Sequence, residues 1–186
     1  MAIKGGIKKN GLLYRWVDYK KALSNIKTDS LYPGKWQHNI PGFGIFSGIS
    51  FGYNPRTWHS YDNGICFVVD RNRLNYKKII DIPAQEIYNY SNATLNPLGD
   101  YGSVDLYLKN IRDATENTEA FYVGIIRPLN DKLTKIIMGD VSKKLKEATL
   151  SYAKTFDILV EDLNGTQIYE SEISRIKFLS GISGII

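Results

Sequence analysis

The arrangement of short apolar segments is the feature that most constrains the fold of this chain. Segments 11–17, 48–51, 64–70, 76–82, 119–126, 132–138, 156–162 and 166–171 are predicted strands. Helices are predicted at 18–30, 103–114 and 140–155. Strands follow one another more often than they alternate with helices, so the pattern favours an α+β fold with a mixed, mainly antiparallel sheet over a doubly wound parallel one.

The length of the chain is sufficient for one compact core and hardly for two. It has 186 residues, of which 43% are hydrophobic. We find no internal repeat, low-complexity tract or long Pro/Ser linker. A single domain over residues 1–186 is therefore predicted.

Net charge and cysteine content limit the kinds of partner and the cellular compartment that we expect. The formal net charge is +5 and the pI about 9.1, which favours anionic partners without selecting among them. Cys66 is the one cysteine and has no disulfide partner, and with two widely spaced histidines it makes no metal set. Neither a signal peptide nor a membrane-spanning run is visible, so a cytoplasmic location is expected.

A long irregular stretch lies between the first predicted helix and the next strand. Residues 31–48, "LYPGKWQHNIPGFGIFSG", contain two prolines and four glycines around a tryptophan and a histidine. Long loops inside compact domains are uncommon unless they serve a function. We therefore predict a functional loop here.

Common catalytic motifs are absent from the sequence. It has no GxxxxGK[ST], no GxGxxG after a strand, and no HExxH, GxSxG or CxxC. Ser50, in "GISFGYNP", could be a hydrolase nucleophile only with His38 or His59 as its base, and neither lies in a recognisable setting. The serine therefore needs another explanation.

A dispersed set of motifs supplies one. "LYR", "KKALSNIKTDSLYPG", "GISFGYNP", "GICFVVDRNRL" and "NTEAFYVG" follow one another in this order. Together they resemble mono-ADP-ribosyltransferases, in particular small members from bacteria and their phages, which in a phage would act in the host cytoplasm. The family has an arginine on its first strand, a serine motif opening a later core strand, and a glutamate just before an apolar strand. The matching residues here are Arg15, Ser50 and Glu119.

The resemblance implies a role for each of the three residues, with NAD as substrate and no metal. Arg15 would grip the diphosphate, because a guanidinium binds two anionic oxygens at once and stays charged. Ser50 would bond the ribose on the nicotinamide side and steady the acid. Glu119 would stabilise the positive charge that develops at the anomeric carbon as nicotinamide leaves.

Further NAD contacts are implied around these three residues. Tyr53 could stack on nicotinamide, and Trp36, in the segment 36–39, could close over the dinucleotide. Tyr14, beside the arginine, is also expected to contact NAD. Taken alone, Tyr53 and Trp36 are equally well explained as packing residues.

Two positions depart from the family pattern. Gly52 stands where a second hydroxyl usually follows the serine, and Asn117 stands where Glu or Gln usually lies two residues before the catalytic acid. The latter position helps to address the acceptor in the family. A macromolecular acceptor is expected, with protein favoured over nucleic acid because no base-reading motif is visible. Glu116 is an alternative acid.

Two other functions remain open. The chain has 13 tyrosines and a basic balance, as single-stranded nucleic-acid-binding modules do. Those tyrosines, however, form no recognisable RNA-binding motif. Alternatively, the transferase fold has lost its chemistry and acts as a binding or inhibitor protein, for which Gly52 is a possible sign.

Overall fold

The computed structural model describes residues 11–35, 38–40, 44–53, 64–83 and 118–169. Its strands are β1 Leu12–Val17, β2 His38–Ile40, β3 Gly44–Phe46, β4 Gly48–Gly52, β5 Ile65–Asp70, β6 Ile79–Pro83, β7 Thr118–Val123, β8 Leu133–Met138, β9 Leu159–Asp162 and β10 Gln167–Tyr169. Its α-helices are α1 Tyr19–Thr28 and α2 Lys143–Phe156, and 3-10 turns cover Arg71–Arg73, Tyr76–Lys78 and Asn130–Lys132.

The fold is α+β, as predicted, with a mixed eight-stranded sheet in the order β10-β9-β8-β5-β1-β4-β7-β6. The pairs β1–β4, β4–β7, β6–β7, β5–β8 and β9–β10 are antiparallel, and β8–β9 is parallel. The described residues contain two α-helices where the sequence predicts three. The third predicted helix, 103–114, lies outside them.

The chain divides into two compact units. The first comprises Met1–Tyr14, Leu31–Thr57 and Asp70–Ile126, and the second Arg15–Ser30, Trp58–Val69 and Arg127–Ile186. The boundary between them crosses β1 after Tyr14. The single domain inferred from chain length remains a prediction.

The second unit is built around β5. Its apolar run, predicted from "GICFVVD", is inaccessible to solvent at every residue from Ile65 to Val69. A strand buried on both faces needs this unbroken hydrophobic pattern. Helix α2 packs on β9 and β10 and also contacts α1. Its buried residues follow the helical repeat and form one stripe: Leu145, Thr149, Tyr152 and Ala153.

The ends of both helices are fixed by local side chains. Asp18, the N-cap of α1, accepts a hydrogen bond from the backbone N–H of Lys21 at 3.0 Å. Ser142 caps α2 in the same way through Leu145. Both helices end at an aspartate in the left-handed conformation, Asp29 with φ 47° and Asp157 with φ 54°.

The first unit contains the ladder β4–β7–β6 and the hairpin of β2 and β3. The hairpin corrects the prediction that residues 31–48 form one irregular loop, because His38 pairs with Phe46 and Ile40 with Gly44. Each strand is three residues long, too short to give a recognisable alternation. The strand predicted at 76–82 is also shortened, since Tyr76–Lys78 is a 3-10 turn and β6 begins at Ile79.

Candidate functional site

The serine motif lies on β4, with glycines on either side of the serine on the same face of the strand. Successive residues of a strand face opposite sides, so Gly48, Ser50 and Gly52 share one face. Ile49 and Phe51, on the other face, are fully buried, whereas Ser50 is half-buried. Glycine within a strand is typical of places where another group approaches the backbone closely. This face of β4 therefore presents a hydroxyl with no larger side chain beside it on its own strand.

The register of β4 and β7 brings the serine motif next to Glu119. Ser50 is opposite Phe121, and Gly52 is opposite Glu119. Glu119 is thus the diagonal neighbour of Ser50 on the same face, a relation that separates Cβ atoms by about 7–8 Å. Two of the three predicted catalytic residues, distant in sequence, are adjacent in the first unit.

Gly52 is the centre of a row that crosses the ladder. It lies opposite Tyr14 on β1 and opposite Glu119 on β7, and Glu119 is in turn opposite Ile82 on β6. A hydroxyl at position 52, as the family pattern has, would therefore stand directly across from the glutamate. The departure at Gly52 removes a group from this row and leaves the row itself in place.

A polar cluster lies over the opposite face of the same ladder, one residue along from this row. Arg71 donates hydrogen bonds from its two terminal nitrogens to the two carboxylate oxygens of Asp81, each at 2.7 Å. The hydroxyl of Tyr53 donates to the same carboxylate and accepts from Arg71. The guanidinium also lies 5.8 Å from the centroid of the Tyr53 ring. We call these three residues the Tyr53 cluster.

Burial and charge perturb the groups of the Tyr53 cluster. Burial raises the pKa of Tyr53, and the negative charge of Asp81 raises it further, while Arg71 opposes the change. For Arg71, burial acts to lower the pKa, but the hydrogen bonds and charge of Asp81 outweigh it and the pKa is raised. The side chains of Arg71 and Asp81 are only 19% and 10% exposed. The Arg71–Asp81 salt bridge therefore lies largely shielded from solvent.

Arg15 lies on β1 in the second unit and is half-buried. It is close to Cys66 on β5, whose thiol is fully buried. Burial raises the pKa of this thiol, and a backbone hydrogen bond from Arg15 and the positive charges of Lys135 and Arg15 act against the rise. A protonated, buried thiol is unreactive. The predicted role of Arg15 at the diphosphate stays a prediction.

Trp36 and Asn117, together with the alternative acid Glu116, lie outside the described residues. Glu119 is placed by its backbone pairing. The described contacts of Tyr53 are with Arg71 and Asp81, and its stacking on nicotinamide stays a prediction.

Sequence reasoning missed Arg71 and Asp81. A signal for the second was present, because Asp81 interrupts the apolar run "IIDI" of a predicted strand. A carboxylate at such a position, if buried, needs a cationic or hydrogen-bonding partner. Nothing local in the sequence identifies Arg71 as that partner.

Comparison with known proteins gives no relative: no protein-family model, no curated protein and no solved structure matches this chain. Within the described ranges, no helix is long and apolar enough to cross a membrane. The same residues contain no group of three or more His, Cys, Asp or Glu side chains that could hold a metal ion.

Proposed function

We propose that this chain is a mono-ADP-ribosyltransferase that cleaves NAD and transfers ADP-ribose to a macromolecular acceptor. One observation carries the proposal: Ser50 and Glu119 are diagonal neighbours on the adjacent strands β4 and β7. The resemblance in the sequence concerns only the order of short motifs. It does not require that the serine and the acid meet on one face of one ladder.

The chemistry assigned to the site is cleavage of the bond between the nicotinamide nitrogen and the anomeric carbon of ribose. Nicotinamide leaves with the bonding electron pair, and positive charge develops on the ribose. The carboxylate of Glu119 stabilises that charge, an effect that is greatest in the transition state. The acceptor then forms the new bond to the anomeric carbon and gives up its proton.

Ser50 and Arg15 serve to bind NAD. Ser50 holds the ribose and keeps the acid in register, and Gly52 leaves space beside it. Arg15 grips the diphosphate, where a charge-assisted contact is strong. No metal is required by this scheme, and NAD is a substrate rather than a resident cofactor.

Release of nicotinamide from NAD by the purified chain tests the proposal. Glu119→Gln is nearly isosteric, so we expect it to keep the fold and NAD binding and to lower the rate at least about a hundredfold, as loss of a transition-state contact does. Glu147→Gln is the matched control, because Glu147 lies on α2 with a side chain that is 66% exposed. Nicotinamide release by Glu119→Gln at the parent rate would remove Glu119 from its role, and Glu116 would be tested next.

The acceptor is assigned by a second experiment. The chain and labelled NAD are added to a bacterial lysate, and separate samples are digested with protease and with nuclease. We favour a protein acceptor, and the net charge of +5 favours an acidic one, so labelling should weaken as salt screens the attraction. Label that survives protease and disappears with nuclease would reassign the acceptor to nucleic acid. NAD consumption without macromolecular label would indicate a glycohydrolase.

The same measurements separate the competing functions. A transferase fold that has lost its chemistry would bind NAD without consuming it. A nucleic-acid-binding module would ignore NAD and bind single strands in a salt-dependent manner.

A further inference from the structure

The Tyr53 cluster connects two strands that do not pair with each other. Tyr53 follows the last residue of β4, and Asp81 lies in β6. Strand β7 runs between them and pairs with both. Neighbouring strands are about 4.8 Å apart, so β4 and β6 are separated by about 10 Å. A tyrosine reaching toward an aspartate covers that distance, and the two side chains therefore meet above β7.

Ala120, a residue with a small side chain, lies next to Asp81 on the strand between β4 and β6. Phe51 on β4, Ala120 on β7 and Asp81 on β6 form one row, because Ala120 is opposite both of the others. Ala120 is fully buried and has only a methyl side chain, on the face of β7 that corresponds to Asp81.

This row is next to the one that contains Glu119. Glu119 precedes Ala120 on β7, and its neighbours across the ladder are Gly52 and Ile82. Those neighbours are adjacent in sequence to Tyr53 and Asp81 respectively. The cluster thus joins the two strands on either side of Glu119 one residue away from it, over the opposite face of the sheet.

Arg71 gives the cluster a defined geometry. Its guanidinium uses both oxygens of Asp81 and also bonds the Tyr53 hydroxyl. Its backbone N–H donates to the carbonyl of Gly11 at 2.6 Å, which anchors the arginine to the residue before β1. Ions with little water around them strongly favour the arrangement in which they remain paired. The link between β4 and β6 is therefore made by charge-assisted hydrogen bonds to the Tyr53 hydroxyl as well as by the ladder.

We propose that the Tyr53 cluster is a clamp that positions Glu119, and that Tyr53 acts through its hydroxyl in this clamp and does not stack on nicotinamide. The proposal rests on the proposed function, since it assigns positioning residues to the same site. Catalysis depends on holding an acid within a fraction of an ångström of the reacting atoms. Loosening the strands on either side of Glu119 would lower turnover without removing a contact to NAD.

The substitution Tyr53→Phe separates the two roles of this tyrosine, because it removes the hydroxyl and keeps the ring. We expect kcat for nicotinamide release to fall about tenfold and KM for NAD to change less than twofold. Asp81→Asn should lower kcat at least as much, and the double variant should be little worse than Asp81→Asn alone, since both changes break one cluster. Tyr152→Phe is the matched control, as it removes a tyrosine hydroxyl bonded to an aspartate in the second unit, and its kcat should equal that of the parent.

A stacking role predicts a different pattern. Tyr53→Phe would then behave as the parent, whereas Tyr53→Leu would raise KM for NAD. That result overturns the clamp.

Hydrogen exchange keeps the clamp testable apart from the enzymatic activity. We expect the β7 amides of residues 119–121 to exchange at least about tenfold faster in Tyr53→Phe than in the parent, with no such change in Tyr152→Phe. Unchanged protection in a folded Tyr53→Phe variant overturns the clamp. If the amides of Tyr53→Phe exchange faster but its kcat equals that of the parent, the cluster has a structural role only. That result would overturn the proposal that it positions Glu119. A parent chain that releases no nicotinamide overturns the proposed function and with it the catalytic purpose, whereas the exchange data still decide whether the clamp exists.

Discussion

Each unit of the molecule contains a tyrosine whose hydroxyl donates to an aspartate, and the two clusters differ in what else holds that aspartate. In the first unit, Asp81 is bound by the guanidinium of Arg71 and by Tyr53. In the second, Asp29 accepts from Tyr152 and, at 2.9 Å, from the backbone N–H of Asn130. We call the latter group, Tyr152, Asp29 and Asn130, the Tyr152 cluster.

The Tyr152 cluster joins ends of elements within the second unit. Asp29 ends α1 in the left-handed conformation, and its carbonyl accepts from the N–H of Leu129 at 2.9 Å. Tyr152 lies in the buried stripe of α2. Its contacts therefore connect two helices and the segment that leads into β8. None of the residues predicted to contact NAD belongs to this cluster.

The two clusters have similar chemistry and differ in where they lie. Both clusters bury a tyrosine and satisfy a carboxylate, so neither is distinguished by polarity alone. The Tyr53 cluster differs because it contains a paired ion and crosses the strand that carries Glu119. The Tyr53 cluster is therefore the candidate for a functional role, because it connects the strands on either side of a proposed catalytic residue.

The largest difference is expected when the same charge is removed from both aspartates. Asp81→Asn leaves the Arg71 guanidinium, whose side chain is 19% exposed, without its counter-ion, which should lower the free energy of unfolding by about 3 kcal/mol. Asp29→Asn keeps an oxygen that can accept from Asn130 and Tyr152, so the loss should be about 1 kcal/mol. Urea unfolding of the two variants measures both values. Equal losses would mean that the ionic pair contributes nothing beyond a neutral hydrogen bond.

Local patterns account for the parts of the fold that were predicted. The predicted strand at 64–70, with its unbroken run "GICFVVD", became the buried β5, and the predicted helix at 18–30 became α1. Each depends on neighbours in the sequence. The β2–β3 hairpin was missed because its strands are too short to show a period.

The candidate site, too, was predictable only where local sequence patterns indicate it. The order of motifs indicated Ser50 and Glu119, but the pairing of Gly52 with Glu119 is a matter of register between distant segments, which no local pattern encodes. The partnership of Arg71 and Asp81 has the same origin. Long-range pairing thus determines both the proposed catalytic row and the cluster beside it.

The arginines of the two units provide the next contrast. Arg71 binds Asp81 and Tyr53, whereas Arg15 is the arginine assigned to the diphosphate of NAD. Arg15→Ala should raise KM for NAD more than it lowers kcat, by about 1.5–3 kcal/mol in binding for a charge-assisted contact. Arg15→Lys should restore only part of the affinity for NAD, because a lysine ammonium cannot bind two phosphate oxygens side by side as a guanidinium does. Unchanged NAD affinity by calorimetry, with a folded variant, would remove Arg15 from the site.

The smallest effect that we expect is a change in the pH dependence of stability, and it should be the same for both clusters. Burial, and after it the neighbouring aspartate, raises the pKa of both Tyr53 and Tyr152 above the ordinary value of 10. Each tyrosine therefore keeps its proton in the folded chain after it would have lost it in the unfolded one. Its contribution to stability is complete below pH 10 and declines as the pH rises above 10 toward the folded-state pKa.

Tyr53→Phe and Tyr152→Phe should each reduce the loss of unfolding free energy that the parent shows at alkaline pH. Between pH 9 and pH 11, each variant should lose about 1 kcal/mol less unfolding free energy than the parent, since one pKa unit corresponds to about 1.4 kcal/mol. Urea unfolding at the two pH values gives the difference, and the lysines cancel because every variant has the same set. A variant whose loss equals that of the parent has a tyrosine that titrates normally, which would contradict its burial beside an aspartate. If both variants agree here and only Tyr53→Phe slows nicotinamide release, the two clusters are alike in stability and differ in what they position.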